Sequence, residues 1–138
     1  MESTVEIIDV ENANVDEDGL FVVVDTFAFS TTVTTALGND SIGSVQTTKR
    51  SEELDEYDFP VGGESRFDSE IMNSPLVFTD RNFETDRVGL TSDNGAWRVH
   101  QLLERGAETV VLGCLRNGRS LGTRLEEDDR DTYIVPAD

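Results

Sequence analysis

The sequence predicts a single three-layer α/β domain with a mostly parallel sheet and helices on both faces. Short apolar runs, of which "LFVVVD" at residues 20–25 and "TVVLG" at 109–113 are the clearest, have the continuous pattern of strands covered on both sides. Stretches of helical character separate these runs, and the links between them are short and contain glycine. Strands that alternate with helices in this way favour a parallel sheet.

The chain divides into an acidic N-terminal segment, residues 1–19, and a domain of residues 20–138. The segment offers one small apolar cluster, which is compatible with an edge strand, a short helix or no regular structure. The whole chain of 138 residues has the length of one domain. A domain of that size buries ~68% of its unfolded surface.

The first helix is expected soon after the strand at 20–25. Ser30 is a suitable N-cap for it, and Gly38-Asn39 is a good stop, although the threonine-rich composition favours a helix only weakly. The other strands are predicted at residues 41–47, within 59–65, and at 88–92, 108–114 and 132–135. The other helices are predicted at residues 49–58, 96–105 and 117–125, the last with Asn117 as its cap.

The charge of the chain is strongly negative and indicates a salt-loaded cytoplasm. Asp and Glu number 29 against 11 Lys plus Arg, which gives a formal charge of −18, and only Lys49 is a lysine. Such charges repel one another across a Debye length of ~10 Å at 0.1 M salt, but that length falls to ~3 Å at 1 M. We therefore expect a halophilic-type protein, with an ordinary acidic protein as the alternative.

Several functional classes are excluded by composition. Nucleic-acid binding needs clustered basic residues, and none are visible. No apolar run approaches the ~20 residues of a membrane span, and the N-terminus lacks the order of a signal peptide. The single cysteine, Cys114, rules out an internal disulfide. We expect a soluble cytoplasmic protein.

Polar residues follow four of the predicted strands, at the sheet edge where ligands of parallel sheets bind. One segment carries Asp25 with a hydroxyl cluster, and another carries a Gly-Gly-Glu sequence. The complete set is Asp25, Ser30, Thr31 and Thr32; Gly62, Gly63 and Glu64; Thr91, Asp93, Asn94 and Gly95; Cys114, Arg116 and Asn117. Helix N-termini beside them offer amide hydrogens to an anion.

Asp25 and Glu64 are the candidate ligands of a divalent cation, most simply Mg²⁺, which prefers oxygen donors. Such an ion polarises a phosphoryl oxygen. Each residue also has a structural interpretation: Asp25 as a turn residue, Ser30 and Asn117 as helix caps, and "NSP" and "DNG" as ordinary turns.

The chain resembles the 2-phosphosulfolactate phosphatase family on four motifs that follow one another over residues 20–136. The first is "VVVDTFAFSTT", with Asp25 before Ser30, Thr31 and Thr32. The second is Gly63-Glu64 followed at a distance by Asn73-Ser74-Pro75. The third is Thr91, Asn94 and Gly95, and the fourth is Gly113 and Asn117. The resemblance implies a Mg²⁺-dependent hydrolase of coenzyme M biosynthesis, with Asp25 and Glu64 catalytic and on the metal. The residues expected to bind substrate are Ser30, Thr31, Thr32, Asn73, Ser74, Asn94, Gly95, Arg98, Arg116 and Asn117.

The sequence departs from the family at its basic positions. Ala28 and Ser65 stand where the family usually carries basic residues, and Ala96 and Trp97 replace a threonine and an arginine after Asn-Gly. Arg98 and Arg116 are the candidates to replace the missing guanidinium groups, which are the usual partners of phosphate and sulfonate. The chain also ends at "IVPAD", where the family continues, as expected of a shortened paralogue or a fragment.

Three functions are compatible with these observations. The first is a phosphatase of a small anionic phosphoester such as 2-phosphosulfolactate. The alternative is a catalytically degenerate paralogue that binds a small anion or a protein partner without turnover. The third is a structural role in which an exposed sheet edge pairs with another chain, as in a homo-oligomer.

Overall fold

The computed structural model describes residues 3–11, 14–25, 28–49, 51–57, 59–62, 74–79, 83 and 87–137. Within these ranges the chain forms seven strands and three α-helices. The strands are β1 (Val5–Ile7), β2 (Leu20–Val24), β3 (Ser44–Thr48), β4 (Phe59–Val61), β5 (Arg87–Thr91), β6 (Thr109–Gly113) and β7 (Thr132–Pro136). The helices are α1 (Phe29–Leu37), α2 (Gly95–Glu104) and α3 (Gly118–Glu126), with 3₁₀ turns at Ser51–Glu56 and Pro75–Phe78.

The described strands form two sheets, and every pair in them is parallel. The first sheet has the order β1-β7-β2-β6, and the second has the order β3-β5-β4. Strand β2 lies between two neighbours, as its continuous apolar run requires, because both of its faces and both of its edges are covered. These parallel strands, with the helices that connect them, confirm the predicted three-layer α/β class.

Helices cover both faces of the first sheet. One face presents Phe21 and Val23 of β2 to Leu102 of α2, in a core cluster that also contains Val135. On the opposite face, the side chains of Val22 and Leu121 of α3 both lie against Gly113. A second core cluster joins α1, through Phe29 and Val33 among others, to the strands of the second sheet. None of the described helices is long and apolar enough to cross a membrane.

Most predicted elements are present, and the differences are local. Strand β1 joins the first sheet at its edge. Residues 51–56 form a 3₁₀ turn instead of an α-helix. The prediction of Ser30 as an N-cap is wrong, because α1 already begins at Phe29 and Ser30 lies buried inside the first turn. Phe29 is fully buried in the core, and its burial places the start of the helix earlier than the capping pattern indicated.

Candidate functional site

The carboxyl ends of β2, β6 and β7 lie side by side at one edge of the first sheet. In register, Val24 at the end of β2 pairs with Gly113 on one side and with Pro136 on the other. The Ala137 N–H donates to the Val24 carbonyl oxygen at 3.0 Å and extends this alignment beyond the strands. Asp25 and Cys114, each the residue after its strand, therefore emerge next to each other.

Asp25 connects the end of β2 to the beginning of α2. Its carboxylate oxygen Oδ2 accepts a hydrogen bond from the Gly95 N–H at 3.2 Å, and only 2% of the residue is exposed. A carboxylate at a helix N-terminus is stabilised by the unpaired N–H groups and the helix dipole. The contact brings together two predicted segments that lie 70 residues apart in the sequence.

Ser30 stabilises the turn between β2 and α1. Its hydroxyl donates to the Val23 carbonyl oxygen at 3.3 Å and lies 3.2 Å from the Asp25 N–H, which donates to it. Thr32 is also fully buried, and its hydroxyl donates to the Ala28 carbonyl oxygen at 2.9 Å. Both hydroxyls thus have partners within the fold, and their role in substrate binding stays a prediction.

Two hydroxyls of α1 and two backbone N–H groups surround Cys114. The thiol lies 3.7 Å from Thr34 Oγ1. Partial burial acts to raise the pKa of this thiol, but hydrogen bonds from the Asn117 N–H, the Thr34 hydroxyl, the Arg116 N–H and the Thr31 hydroxyl lower it. The result is a pKa below the ordinary value of 9.0, so this position favours negative charge.

Asn117 fixes the loop that follows β6. Its side-chain amide donates to the Leu112 carbonyl oxygen at 2.8 Å, and its Oδ1 accepts from the Cys114 N–H at 2.8 Å. Asn117 occupies the N-cap position of α3 as predicted, but its side chain makes no hydrogen bond to that helix. It holds the sheet-edge loop closed instead, and this keeps the backbone N–H groups of the loop directed towards the cysteine.

The two candidate arginines lie in different surroundings. Arg98, in α2, donates to Gln101 Oε1 at 2.9 Å and lies 3.6 Å from Glu11 Oε1. Arg116 is exposed on the loop beside Cys114. The structure therefore places Arg116 at the edge with Asp25 and Cys114, and Arg98 on the side of β1 and β7.

The remaining predicted residues are local or lie outside the described residues. Gly63, Glu64 and Asn73 belong to the latter group. Ser74 caps the 3₁₀ turn, where its hydroxyl accepts from the Leu76 N–H at 3.4 Å. Asn94 is exposed at the N-cap position of α2. Among the described residues, no group of three or more His, Cys, Asp or Glu side chains is arranged to hold a metal ion.

Thr34 is the residue at this edge to which the sequence analysis assigns no role, because it is one hydroxyl among several in the α1 segment. Cys114 belongs to the set predicted at the sheet edge, but nothing in the sequence indicates that hydroxyls and N–H groups contact its thiol. A glycine that ends a strand and is followed by a polar loop was the available signal, because it places the next side chain at the sheet edge.

Comparison with known proteins decides the family. The family model described as 2-phosphosulpholactate phosphatase matches residues 6–138, nearly the whole chain. The chain belongs to this family. It is 28% identical over 126 residues to a "Probable 2-phosphosulfolactate phosphatase" of Caldanaerobacter subterraneus subsp. tengcongensis, covering 84% of this chain and 52% of that protein. A protein of the same name from Clostridium botulinum (strain Alaska E43) is 26% identical over 133 residues, covering 88% of this chain and 54% of that protein.

The match within the 2-phosphosulfolactate phosphatase family confirms the resemblance found from the four motifs. The chain spans about half the length of the curated relatives it matches. The matched half contains the sheet edge with Asp25, Gly95, Cys114 and Asn117.

Proposed function

We propose that this chain is a Mg²⁺-dependent phosphatase of a small anionic phosphoester such as 2-phosphosulfolactate, the substrate of coenzyme M biosynthesis that its family implies. One observation carries the proposal: the hydrogen bond between Asp25 Oδ2 and the Gly95 N–H, which joins two motifs of the family at the carboxyl edge of the first sheet. Ligands of open parallel sheets bind at that edge.

The substrate phosphate would lie where hydrogen-bond donors converge. The hydroxyls of Thr31 and Thr34 and the N–H groups of Arg116 and Asn117 lower the pKa of Cys114, so their combined field stabilises negative charge at this point. The exposed Arg116 guanidinium adds a cation at the rim, with the forked geometry that suits phosphate oxygens. On the side of α2, the Gly95 N–H donates to Asp25 Oδ2.

Asp25 and Glu64 would hold the magnesium ion. Asp25 has the right type of ligand atom for this role, because Mg²⁺ in phosphoryl-transfer sites is bound through one or two carboxylates together with water and substrate oxygens. When bound, the ion polarises a phosphoryl oxygen. Asp25 also contacts α2 through the Gly95 N–H, so the carboxylate that would hold the ion would also help to position the Asn94 turn.

We further propose that the protein works in a salt-loaded cytoplasm on a free metabolite, without nucleic acid. The formal charge of −18 supports this, because phosphate backbones would be repelled and because carboxylates retain hydration at high salt. Whether the working form is a homo-oligomer is tested by light scattering over a range of salt concentrations.

The test is release of phosphate from 2-phosphosulfolactate at molar salt, with Mg²⁺ and then with a chelator. We expect Mg²⁺-dependent turnover, and a loss of ~100-fold or more in Asp25→Asn, because a ligand of the ion loses its charge. Asp129→Asn, at an exposed position after α3, is the matched control and keeps full activity. Turnover that ignores the chelator, or that survives Asp25→Asn, contradicts the proposal.

The second candidate is a degenerate paralogue that binds the anion without hydrolysing it. Specific observations favour it: Ala28 and Ser65 stand where the resemblance to the family implies basic residues, and the hydroxyls of Ser30 and Thr32 have partners inside the fold. In that case phosphate still raises the melting temperature, since a ligand of the folded state stabilises it, while no phosphate is released from the ester.

A further inference from the structure

A groove opens at the ends of β1 and β7, beside the candidate phosphate site. It has a volume of about 380 Å³ and is lined by Ile7, Ile8, Asp9, Glu11, Arg98 and Pro136. Ile7 ends β1 and Pro136 ends β7, while Arg98 reaches the groove from α2. The volume falls within the ~300–1,000 Å³ typical of small-molecule sites.

The walls of the groove contain aliphatic side chains, carboxylates and one guanidinium. Ile7, Ile8 and Pro136 form an aliphatic wall, and Ile7 is 75% exposed, which leaves a large apolar side chain in water. Asp9 and Glu11 contribute two carboxylates. Arg98 contributes the opposite charge.

Arg98 is held in place but only loosely paired. Its guanidinium donates to Gln101 at 2.9 Å, and its side chain is 21% exposed. The distance of 3.6 Å to Glu11 Oε1 is too long for a hydrogen bond, so this ion pair lacks the forked geometry that a guanidinium makes with a carboxylate at close range. A ligand carboxylate can supply that geometry, and Glu11 is then available to a cation.

We propose that this groove binds an aliphatic α-amino acid. The carboxylate of the ligand pairs with Arg98, its ammonium group with Asp9 and Glu11, and its side chain covers Ile7, Ile8 and Pro136. A simple anion would be attracted by Arg98 but repelled by the carboxylates of Asp9 and Glu11. A simple amine would pair with these carboxylates but would leave the Arg98 guanidinium without a carboxylate partner. A zwitterion with an apolar side chain complements the guanidinium, the carboxylates and the aliphatic wall together.

The proposal is independent of the phosphatase activity. The groove and the Asp25 edge share one neighbourhood, since Pro136 pairs in register with Val24, the residue before Asp25. An amino acid bound here would therefore lie next to the phosphate site, but its binding can be measured without any phosphoester.

The test is calorimetry and thermal shift on the full chain with L-leucine. We expect saturable binding and a raised melting temperature at about 10 mM ligand, a concentration that fills even a millimolar site. 4-Methylpentanoate, which lacks the ammonium group, and leucinamide, which lacks the carboxylate, should each bind about tenfold more weakly or worse, because each loses a charge-assisted contact. Equal binding of either analogue, or no binding of leucine, overturns the proposal.

Variants assign the site. Arg98→Gln should weaken leucine binding about tenfold or more, while Arg116→Gln, on the other side of the sheet edge, leaves it unchanged. Ile7→Ser should weaken binding several-fold, about the effect of removing one aliphatic contact, and its matched control is Leu115→Ser at a fully exposed position. Both groove positions are partly exposed, so we expect these variants to fold. Unchanged leucine binding in Arg98→Gln contradicts the assignment.

Discussion

Of the glycines whose surroundings the structure describes, Gly95 is the one at which an added methyl group would come closest to a neighbouring atom. A Cβ atom at this residue would lie 2.2 Å from Phe29 Cδ1 and 2.6 Å from Phe29 Cγ, far inside van der Waals contact. Phe29 is fully buried and cannot move away without disturbing the α1 core. In Gly95→Ala, helix α2 must shift instead, and the shift weakens the hydrogen bond from the Gly95 N–H to Asp25.

The expected loss of stability combines two terms. Overpacking of a core costs about 1–3 kcal/mol, and a weakened hydrogen bond to a buried carboxylate adds up to about 1.5 kcal/mol more. We therefore expect Gly95→Ala to lower the free energy of unfolding by about 2–4 kcal/mol. For a chain of this size, that lowers the melting temperature by roughly 6–16 °C.

The assay is thermal unfolding followed by circular dichroism at constant salt, with Gly122→Ala as the control. No heavy atom lies within 4 Å of a Cβ built at Gly122, which is inside α3. Because alanine is the better helix former by about 1 kcal/mol, this control should be neutral or more stable than the natural chain. A melting temperature for Gly95→Ala equal to that of the natural chain would refute the reasoning.

A double variant locates the cause. Phe29→Leu removes the ring atoms that the new methyl group would meet, although it costs stability itself. If the ring is responsible, Gly95→Ala should cost at least about 1 kcal/mol less in the Phe29→Leu background. If the effects of the two substitutions on the free energy of unfolding simply add, contact with the Phe29 ring is not the cause.

Three further predictions concern charge. Alkylation of Cys114 by iodoacetamide should reach half its maximal rate below pH 9.0, and Thr34→Val should move that midpoint to higher pH. Because the folded pKa of the thiol is lowered, its contribution to stability is fully present above pH 9.0 and is lost as the pH falls through the folded pKa. The carboxyl of Asp128 should titrate with a pKa of about 2, because Arg130 hydrogen-bonds to it. Its small contribution to the stability of the fold is lost only as the pH falls from 3.8 to about 2, and Arg130→Gln should restore the ordinary pKa, as measured by NMR. The melting temperature should rise with salt up to about 1 M, because screening removes repulsion within a chain of charge −18, and a salt-independent value would contradict the halophilic interpretation.

The strands were predictable because a strand covered by other elements must consist largely of apolar residues. The run at β2 is continuously apolar and buried between helical layers, whereas β6, at the edge of the first sheet as described, is mostly half-buried despite its apolar run. The partition of the strands into two sheets was not predictable, because a sequence of alternating strands and helices does not say which strands pair. The pairing of β3 with β5, for example, depends on packing between residues far apart in the chain.

The meeting of strand ends was predictable only in part, and the binding roles of the residues there stay predictions. The rule that parallel strands end at one edge brought together Asp25 and the loop of Cys114 and Asn117, although Gly62 and Asn94 follow strands of the second sheet. It gave no information on how hydroxyls divide between fold and ligand, and Ser30 and Thr32 proved to be bonded to the backbone. The position of Arg98 beside Glu11 was also beyond sequence reasoning, since the two lie on separate elements and meet only in the folded chain.

The position of β2 in the first sheet has a consequence for synthesis on the ribosome. Strand β2 comes before both of its partners, β6 and β7, which follow it in the sequence only after β3, β4 and β5. A fold of such high contact order closes slowly, so the "LFVVV" run must wait in water with its edges open to other nascent chains. The carboxylates of residues 9–18 directly precede that run, in a position where charged residues limit the aggregation of an apolar strand.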